Sequence, residues 1–414
     1  MVTDSTVFLC GFFTAPEPFT GTKCPSGWTR IENDPHGIEM MRNYYYSEFV
    51  QFFTDDVTVF KRKIGANATI CLKGDDAPDR KFPVYVAETA LYQMPLNLIV
   101  FSIRLEIRET EQNDLAKVLL KLRSCSHYLV EEVGDFINLG VAPVFNAYKE
   151  CGGKGDIRKE EAEYDFSFLV EFGNKLKIFQ VSLVERLPDT DRALKNCIFC
   201  LNTLTEYDNC LSADTEEEYI DSAMAEGYLS VFKNWKLLAL LDSVVILAHD
   251  PQPVHLSIWT GTYFEKIYVY ELFRKCFLYK LNYNFHDASS NPRELQDEMK
   301  SFERSYSFAN ISYNFLPQLV DRAFVHALDF KPEEIAINQM INREVVFRDE
   351  KRENRTNHLL IVLAALAGFS AIWDLLSLIQ ASKDIKLWHV LLAFAAIAIL
   401  VGAVFCFIRF QKKD

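Results

Sequence analysis

The sequence predicts an α+β protein built from an N-terminal mixed α/β cytosolic domain, a helical region with a long stalk helix, and two C-terminal transmembrane helices. Three observations carry this. Over residues 1–287, alternating strand patterns are interleaved with helical spacing. From Glu265 onward the spacing is almost wholly helical. Two apolar runs, 358–378 and 387–408, then close the chain, each long enough to cross ~30 Å of hydrocarbon as a helix.

The elements follow in order. Phe101, Ile103, Leu105 and Ile107 alternate with Ser102, Arg104 and Glu106, which predicts a half-buried strand. Phe179, Val181 and Leu183 repeat the pattern. Residues 244–247 read as a buried strand, with 255–259 expected to pair with it across the Pro251–Pro253 turn. Helical spacing is expected over 113–133, and Asp214-x-x-Glu217 reads as a capping box opening a helix near 216–232. Pro, Gly and charge patterning makes 151–163 an expected exposed linker. Further on, Val269, Phe273, Cys276, Phe277 and Leu281 mark one helical face. Asn291, Pro292 and Glu294 supply an N-cap, an N1 proline and a capping acid for a helix carrying Leu295, Met299, Phe302 and Tyr306. Pro317 and Pro332 open two more helices. From Pro332 to Leu378 there is no further Pro and a lone Gly368, so one continuous helix of ~70 Å is expected across the membrane boundary. Ile337, Ile341 and Val345 form its expected seam for a bundle of stalks.

With 49% hydrophobic residues among 414, the chain has material for a sizeable core, which excludes wholesale disorder. The net charge of −13 excludes a general nucleic-acid binder with a basic face. That charge is unevenly placed: residues 343–414 carry +3 and the remainder −16. Arg343, Arg348, Lys351, Arg352 and Arg355 precede the first span, and Arg409, Lys412 and Lys413 follow the second. The short connector between the spans has Lys383 and Lys386 alone, so the positive-inside rule puts both termini in the cytoplasm. Trp373 and Trp388 suit the outer interface. No Lys or Arg precedes the apolar stretch 6–13, so no signal peptide is expected there, and the cysteines are expected mostly reduced. The resulting division is 1–287 cytosolic, 288–357 helical with the stalk, 358–378 and 387–408 transmembrane, and 409–414 a basic cytosolic tail.

This order of parts resembles the CorA-type metal-ion transporter superfamily. Residues 302–414 carry the resemblance, with a looser match over 265–287. Phe302-Glu-Arg-Ser-Tyr306-Ser-Phe308 with Ile311 and Ser312 is similar to the helix pair before that family's stalk, and Asn357-His-Leu-Leu360-Ile-Val-Leu363 to the opening of its pore helix. The family's Gly-Met-Asn signature is absent: the region reads Leu376-Ser-Leu-Ile-Gln-Ala-Ser-Lys-Asp384, and no Met follows Met340. Relatives without that signature include membrane effectors of CRISPR-linked antiviral systems. The resemblance implies a homo-oligomeric, pentameric ion channel of the inner membrane, gated by its cytosolic domain and opened by a nucleotide second messenger. Two other readings stand beside it: a divergent transporter of Mg²⁺ or another divalent cation, and a non-conducting membrane-anchored scaffold.

In such pores the first span lines the conduit. Helical spacing back from Asp374 then gives Ser370, Ala371, Ala367, Leu363 and Leu360, with the two leucines as an apolar gate. Asp374 is the one acid inside either run; it either rings the conduit or faces outer solvent. For a phosphate-bearing ligand, Arg104, Lys117, Lys121 and Arg123 supply basic groups near in sequence, although a solvated helix face has the same pattern. Cys197-x-x-Cys200 with Cys210 gives three zinc-type ligands or three core cysteines. His249-Asp250 reads as a loop rather than a metal site. No phosphate loop, dinucleotide-binding glycine pattern or nucleophile elbow occurs, so no enzyme is expected.

Overall fold

A computed structural model of the chain describes residues 2–19, 24–73, 79–126, 128–160, 163–170, 175–206, 216–287, 289–381 and Ala395. The chain divides into two compact units, Met1–Ile341 and Asn342–Asp414.

The first unit is mixed α and β. Its strands are β1 (Val2–Thr14), β2 (Thr29–Ile31), β3 (Thr58–Leu72), β4 (Arg80–Gln93), β5 (Leu98–Thr110), β6 (Tyr128–Leu129), β7 (Arg158–Glu160), β8 (Glu163–Asp165), β9 (Lys177–Val184), β10 (Tyr228–Leu229), β11 (Trp235–Leu240) and β12 (Ser243–Ala248). Among the described residues, nine of them form one sheet in the order β10-β11-β12-β9-β1-β5-β4-β3-β2. β1 lies near its centre, antiparallel to β5 and β9, while β12 runs parallel to β9. β6, β8 and β7 make a small second sheet.

The helices are α1 (Pro35–Arg42), α2 (Ser47–Gln51), α3 (Gln112–Arg123), α4 (Val130–Phe136), α5 (Ala142–Glu150), α6 (Asp191–Thr203), α7 (Glu217–Met224), α8 (Pro253–Ser257), α9 (Val269–His286), α10 (Pro292–Tyr306), α11 (Phe315–Ala327) and α12 (Phe330–Ala381). A π-helical segment, Ile258–Tyr268, joins α8 to α9 without a break.

Strand alternation sorts the sheet's two faces. Val7, Leu9, Ile103, Leu105 and Ile107 enter one large core with Leu115, Leu119, Phe136, Val144 and Ile198 of α3 to α6. Phe8 and Phe179 point the other way. Phe264 stacks on Phe8 at 3.8 Å between ring centres, and Phe179 packs against Tyr268 at 5.3 Å. Helical layers therefore cover both faces. This narrows the half-buried reading of β5: Ser102 is buried on the polar face, Arg104 and Glu106 are half-buried as expected, and Arg108 and Glu109 are exposed.

Other expectations change for local reasons. Residues 255–259 do not pair with β12, because Pro253 starts a helix; β12 pairs with β11 and β9 instead. The helix expected over 113–133 ends at Arg123, where Ser124 turns extended and bridges to Lys175. The 151–163 stretch is no simple linker: Cys151 is fully buried, and a β7–β8 hairpin follows. The helix after Glu216 stops at Met224, and the chain re-enters the sheet at Tyr228; Asp214 of its expected capping box lies outside the described residues. Asn291 caps α10 as expected, accepting from the Arg293 N–H at 3.2 Å.

α12 runs continuously for 52 residues, as the absence of breakers predicts. Ile337 and Ile341 are buried within the chain's own first unit, on the flank where Asn338 donates to Glu303 of α10 at 3.3 Å. That stripe is therefore not left free as a seam for a second stalk. At its root, α12 meets a buried ionic cluster. Arg274 of α9 pairs with Glu271 one turn earlier at 2.9 Å, both fully enclosed. Its guanidinium lies 3.9 Å from the centre of the Phe330 ring. Lys275, also buried, pairs with Glu333 in the first turn of α12. Asp321 of α11 faces Glu271 closely enough to share a hydrogen bond, and burial pushes the Asp321 carboxyl well above the usual range.

Candidate functional site

The second unit presents its candidate site on α12. Leu360, Leu363, Ala367, Ser370, Ala371 and Asp374 are all exposed and fall within ~100° of one another at 100° per residue. An 18-residue window here has mean hydropathy 1.6 and is 0% buried. Of the described helices, this one alone is long and apolar enough to cross a membrane. The residues expected to form the second span, and the connector carrying Lys383 and Lys386, lie outside the described residues.

The exposed side chains of this helix sort by size around its axis. Steps of seven residues link Val346, Glu353, Leu360, Ala367 and Asp374 along one stripe. Ala364 and Gly368 flank it, so this side is small-residued and carries an acid at either end of its apolar stretch. The opposite side links Arg348, Arg355, Val362 and Phe369; Arg352, Leu359, Leu366 and Trp373 lie between the two, about 100° from the first stripe. These side chains are bulky and apolar where the window is apolar, with Phe369 73% and Trp373 75% exposed. Below the window the same side is basic: Arg348, Lys351, Arg352 and Arg355 line one groove. Arg348 is tied to Glu344 at 2.9 Å. Glu353 was not singled out by sequence reasoning, which stopped at the apolar run; its seven-residue offset from Leu360 was the signal that marked it.

The four expected basic ligand residues separate. Lys117 pairs with Glu206 at 3.2 Å. Lys121 pairs with Glu132 and reaches the Cys71 carbonyl. Arg123 is buried and pairs with Asp242 at 3.2 Å; against the cost of burial, Lys177 and then Arg123 pull the Asp242 carboxyl below its usual range. Each thus serves an intramolecular pair. Arg104 stands apart from the other three and lines a cavity on the outer face of the central sheet.

The cysteine reading also changes. Cys200 is disulfide-bonded, so it is not an available zinc ligand, an exception among cysteines expected mostly reduced; Cys10, Cys24, Cys71, Cys125, Cys151, Cys197 and Cys276 are free. Cys197 is free and buried, and burial pushes its thiol up to about 11, which leaves it a core thiol rather than a metal-binding thiolate. Cys210 lies outside the described residues. Among the described residues no group of three or more His, Cys, Asp and Glu is placed to hold a metal ion. His249 contacts the Val184 carbonyl through Nδ1 at 3.2 Å. Comparison with protein-family models, curated proteins and solved structures finds no match to this chain.

Proposed function

We propose that this chain is a homo-oligomeric, pentameric CorA-like ion channel of the inner membrane, with both termini cytoplasmic and its pore controlled by the cytosolic unit. The observation that carries the proposal is the two-sidedness of the unburied apolar half of α12. A helix with no protein cover needs lipid on its bulky side. Its basic continuation, Arg348, Lys351, Arg352 and Arg355, then meets anionic headgroups. The small-residued side is left to face the symmetry axis. There Leu360 and Leu363 close the path by excluding water, and rings of Glu353 and Asp374 at its two ends favour cations. In the closed state the path leaks only slowly. A nucleotide messenger bound to the cytosolic unit opens the path by shifting the root of α12, and the resulting leak depolarises the membrane, as befits an antiviral effector.

The test is ion flux through the purified full-length protein in sealed vesicles, with K⁺ and Mg²⁺ assayed separately. Leu363→Ser is expected to raise resting K⁺ leak by about an order of magnitude, as wetting an apolar gate lowers its barrier by roughly one hydrogen-bonding group's worth. Unchanged leak in both Leu360→Ser and Leu363→Ser would leave the membrane-anchored scaffold as the better account. Spontaneous Mg²⁺ flux suppressed by internal Mg²⁺ would return the chain to divalent transport.

A further inference from the structure

The part of α12 just below its apolar run sorts its charges by side. At 100° per residue, Arg348, Lys351, Arg352 and Arg355 fall within one arc of ~100°. Asp349, Glu350 and Glu353 fall within another arc of ~100° on the far side. Residues four apart are neighbours on a helix, and like charges there destabilise it. Both four-residue steps within the basic arc, Arg348 to Arg352 and Lys351 to Arg355, join like charges. Among the described residues Arg348 has an acid beside it, Glu344 at 2.9 Å, whereas Lys351, Arg352 and Arg355 are exposed and have none. The four line one groove of about 540 Å³ with Glu344 and Phe347. Four cations against one carboxylate leave that groove a net charge of +3. A solvated helix face gains nothing from such an arrangement; a face covered by an anion does.

Depth narrows what the anion is. The apolar run starts at His358, so at 1.5 Å per residue Arg355 lies ~4.5 Å below it, Arg352 ~9 Å and Lys351 ~10.5 Å. The headgroup layer fills about 5–8 Å on each side of the hydrocarbon, and long basic side chains reach up into it. Arg348, ~15 Å down and held by Glu344, falls outside that layer. The three unpaired cations thus stand at lipid phosphate level, within ~6 Å of one another along the axis. One phosphodiester balances one of them and leaves two like charges side by side. Two phosphates joined by a short bridge balance two of them from a single molecule. Arg352 and Arg355 each offer a planar fork of donors suited to a phosphate.

We propose that Lys351, Arg352 and Arg355 form a lipid site on α12 that selects a phospholipid carrying two phosphates over one carrying a single phosphate. The inference names the partner of the basic face described above. It rests on the reading that α12 enters a bilayer and not on conduction. Diffuse attraction to an anionic surface follows charge density and makes no such choice. An occupied site discharges the like-charged steps and fixes the depth at which α12 leaves the membrane.

The purified full-length protein, reconstituted into phosphatidylcholine vesicles, tests the site. The vesicles hold diphosphatidylglycerol and phosphatidylglycerol at equal phosphate. After a carbonate wash and detergent extraction, the lipid that stays with the protein is quantified by mass spectrometry. Diphosphatidylglycerol is expected to be retained ~10-fold over phosphatidylglycerol, about the worth of one charged hydrogen bond. Arg352→Gln and Arg355→Gln should each bring that ratio close to parity. Arg343→Gln removes the same charge from an exposed position outside the groove and should leave the ratio unchanged. Parity in the unaltered protein, or an equal fall in all three variants, assigns the lipid to net charge and overturns the site. Sodium pyrophosphate added to the extracted protein separates the sources of phosphate: if it strips the retained lipid at equal concentration, the groove takes a free anion and the lipid site is lost. The carbonate wash keeps the two ideas apart. Protein that stays in the vesicles without enrichment loses the site and keeps the membrane, whereas protein that washes off loses both.

Discussion

Two stretches of the chain invert each other. Around α9, Glu271, Arg274 and Lys275 are enclosed by protein, together with Phe273, Phe277 and Leu278. On α12, Leu359, Leu363, Leu366 and Phe369 stand open, each more than half exposed. The charged stretch is inside and the apolar stretch is outside. Each arrangement is stable only with a particular surrounding. The ions at α9 need one another, because a lone buried charge is expensive. The leucines of α12 need an apolar cover, because an apolar helix face left in water gains nothing from burial. The difference teaches that burial here follows the available partner and not the residue type: charges pair inward at the root, and on α12 the apolar groups stand outward, where the proposed assembly would set them against lipid.

The root is the place to break that contrast hardest. Arg274→Met keeps length and volume but leaves Glu271 and Asp321 as two buried acids with no guanidinium between them. Loss of one member of a buried pair costs about 3–5 kcal/mol. A large fall in the melting temperature of the detergent-solubilised protein is expected. A change smaller than about 1 kcal/mol would mean that water or Lys331 already compensates the acids, and that the cluster is less enclosed than its burial shows.

The outward half answers to a charge of the opposite kind. Leu366→Arg sets a guanidinium at the middle of the bulky side. Insertion of Arg at a helix centre costs about 2.5–3.5 kcal/mol. The variant should shift from the membrane fraction towards the soluble or aggregated fraction after carbonate washing. Ala367→Arg, on the small-residued side, should shift less, because that side faces an aqueous path in the proposed assembly. Equal loss from both positions would remove the assignment of faces while keeping the membrane.

These two regions also differ in how far sequence alone reached them. The apolar half of α12 was legible because it is local: a run without Pro, a single Gly368 and a seven-residue spacing need no tertiary information. The cap at Asn291 was legible for the same reason. The root was not. Glu271, Arg274 and Lys275 look like the solvated side of an amphipathic helix whose apolar side is Val269, Phe273 and Phe277. Only the approach of Asp321, Phe330 and Glu333, roughly 50–60 residues further on, turns that side inward. Arg123 misled likewise, its partner Asp242 being 119 residues away. The cavity beside Arg104 needs the register of three strands, β1, β5 and β9, and neither Asp4 nor Arg108, which also line it, carries a local mark of it. Long-range pairing decides these sites, and periodicity is blind to it.

The smallest effect expected is the most specific. Asp321 stands close enough to Glu271 to share a hydrogen bond, and two carboxyl groups can do so only if a proton lies between them. Burial raises the Asp321 carboxyl; Glu271 adds to it, while Arg274 and Arg322 pull the other way. Glu271 is raised as well, again by burial, against Arg274 and Lys331. A carboxyl whose folded pKa exceeds its unfolded value binds more protons in the folded state. Stability from it is therefore present below the unfolded value, about 4, and is lost as pH rises through the folded pKa. Asp321→Asn copies the neutral form. At low pH it should change stability by less than about 1 kcal/mol, since the hydrogen bond to Glu271 survives with the amide as donor. Above pH ~4 it should flatten the decline, because Glu271, freed of a like charge and left with Arg274, no longer needs the shared proton. Melting temperatures from pH 4 to 8 for the two proteins check this. Parallel curves would place the shared proton elsewhere and leave Arg274 with two ionised acids to balance alone.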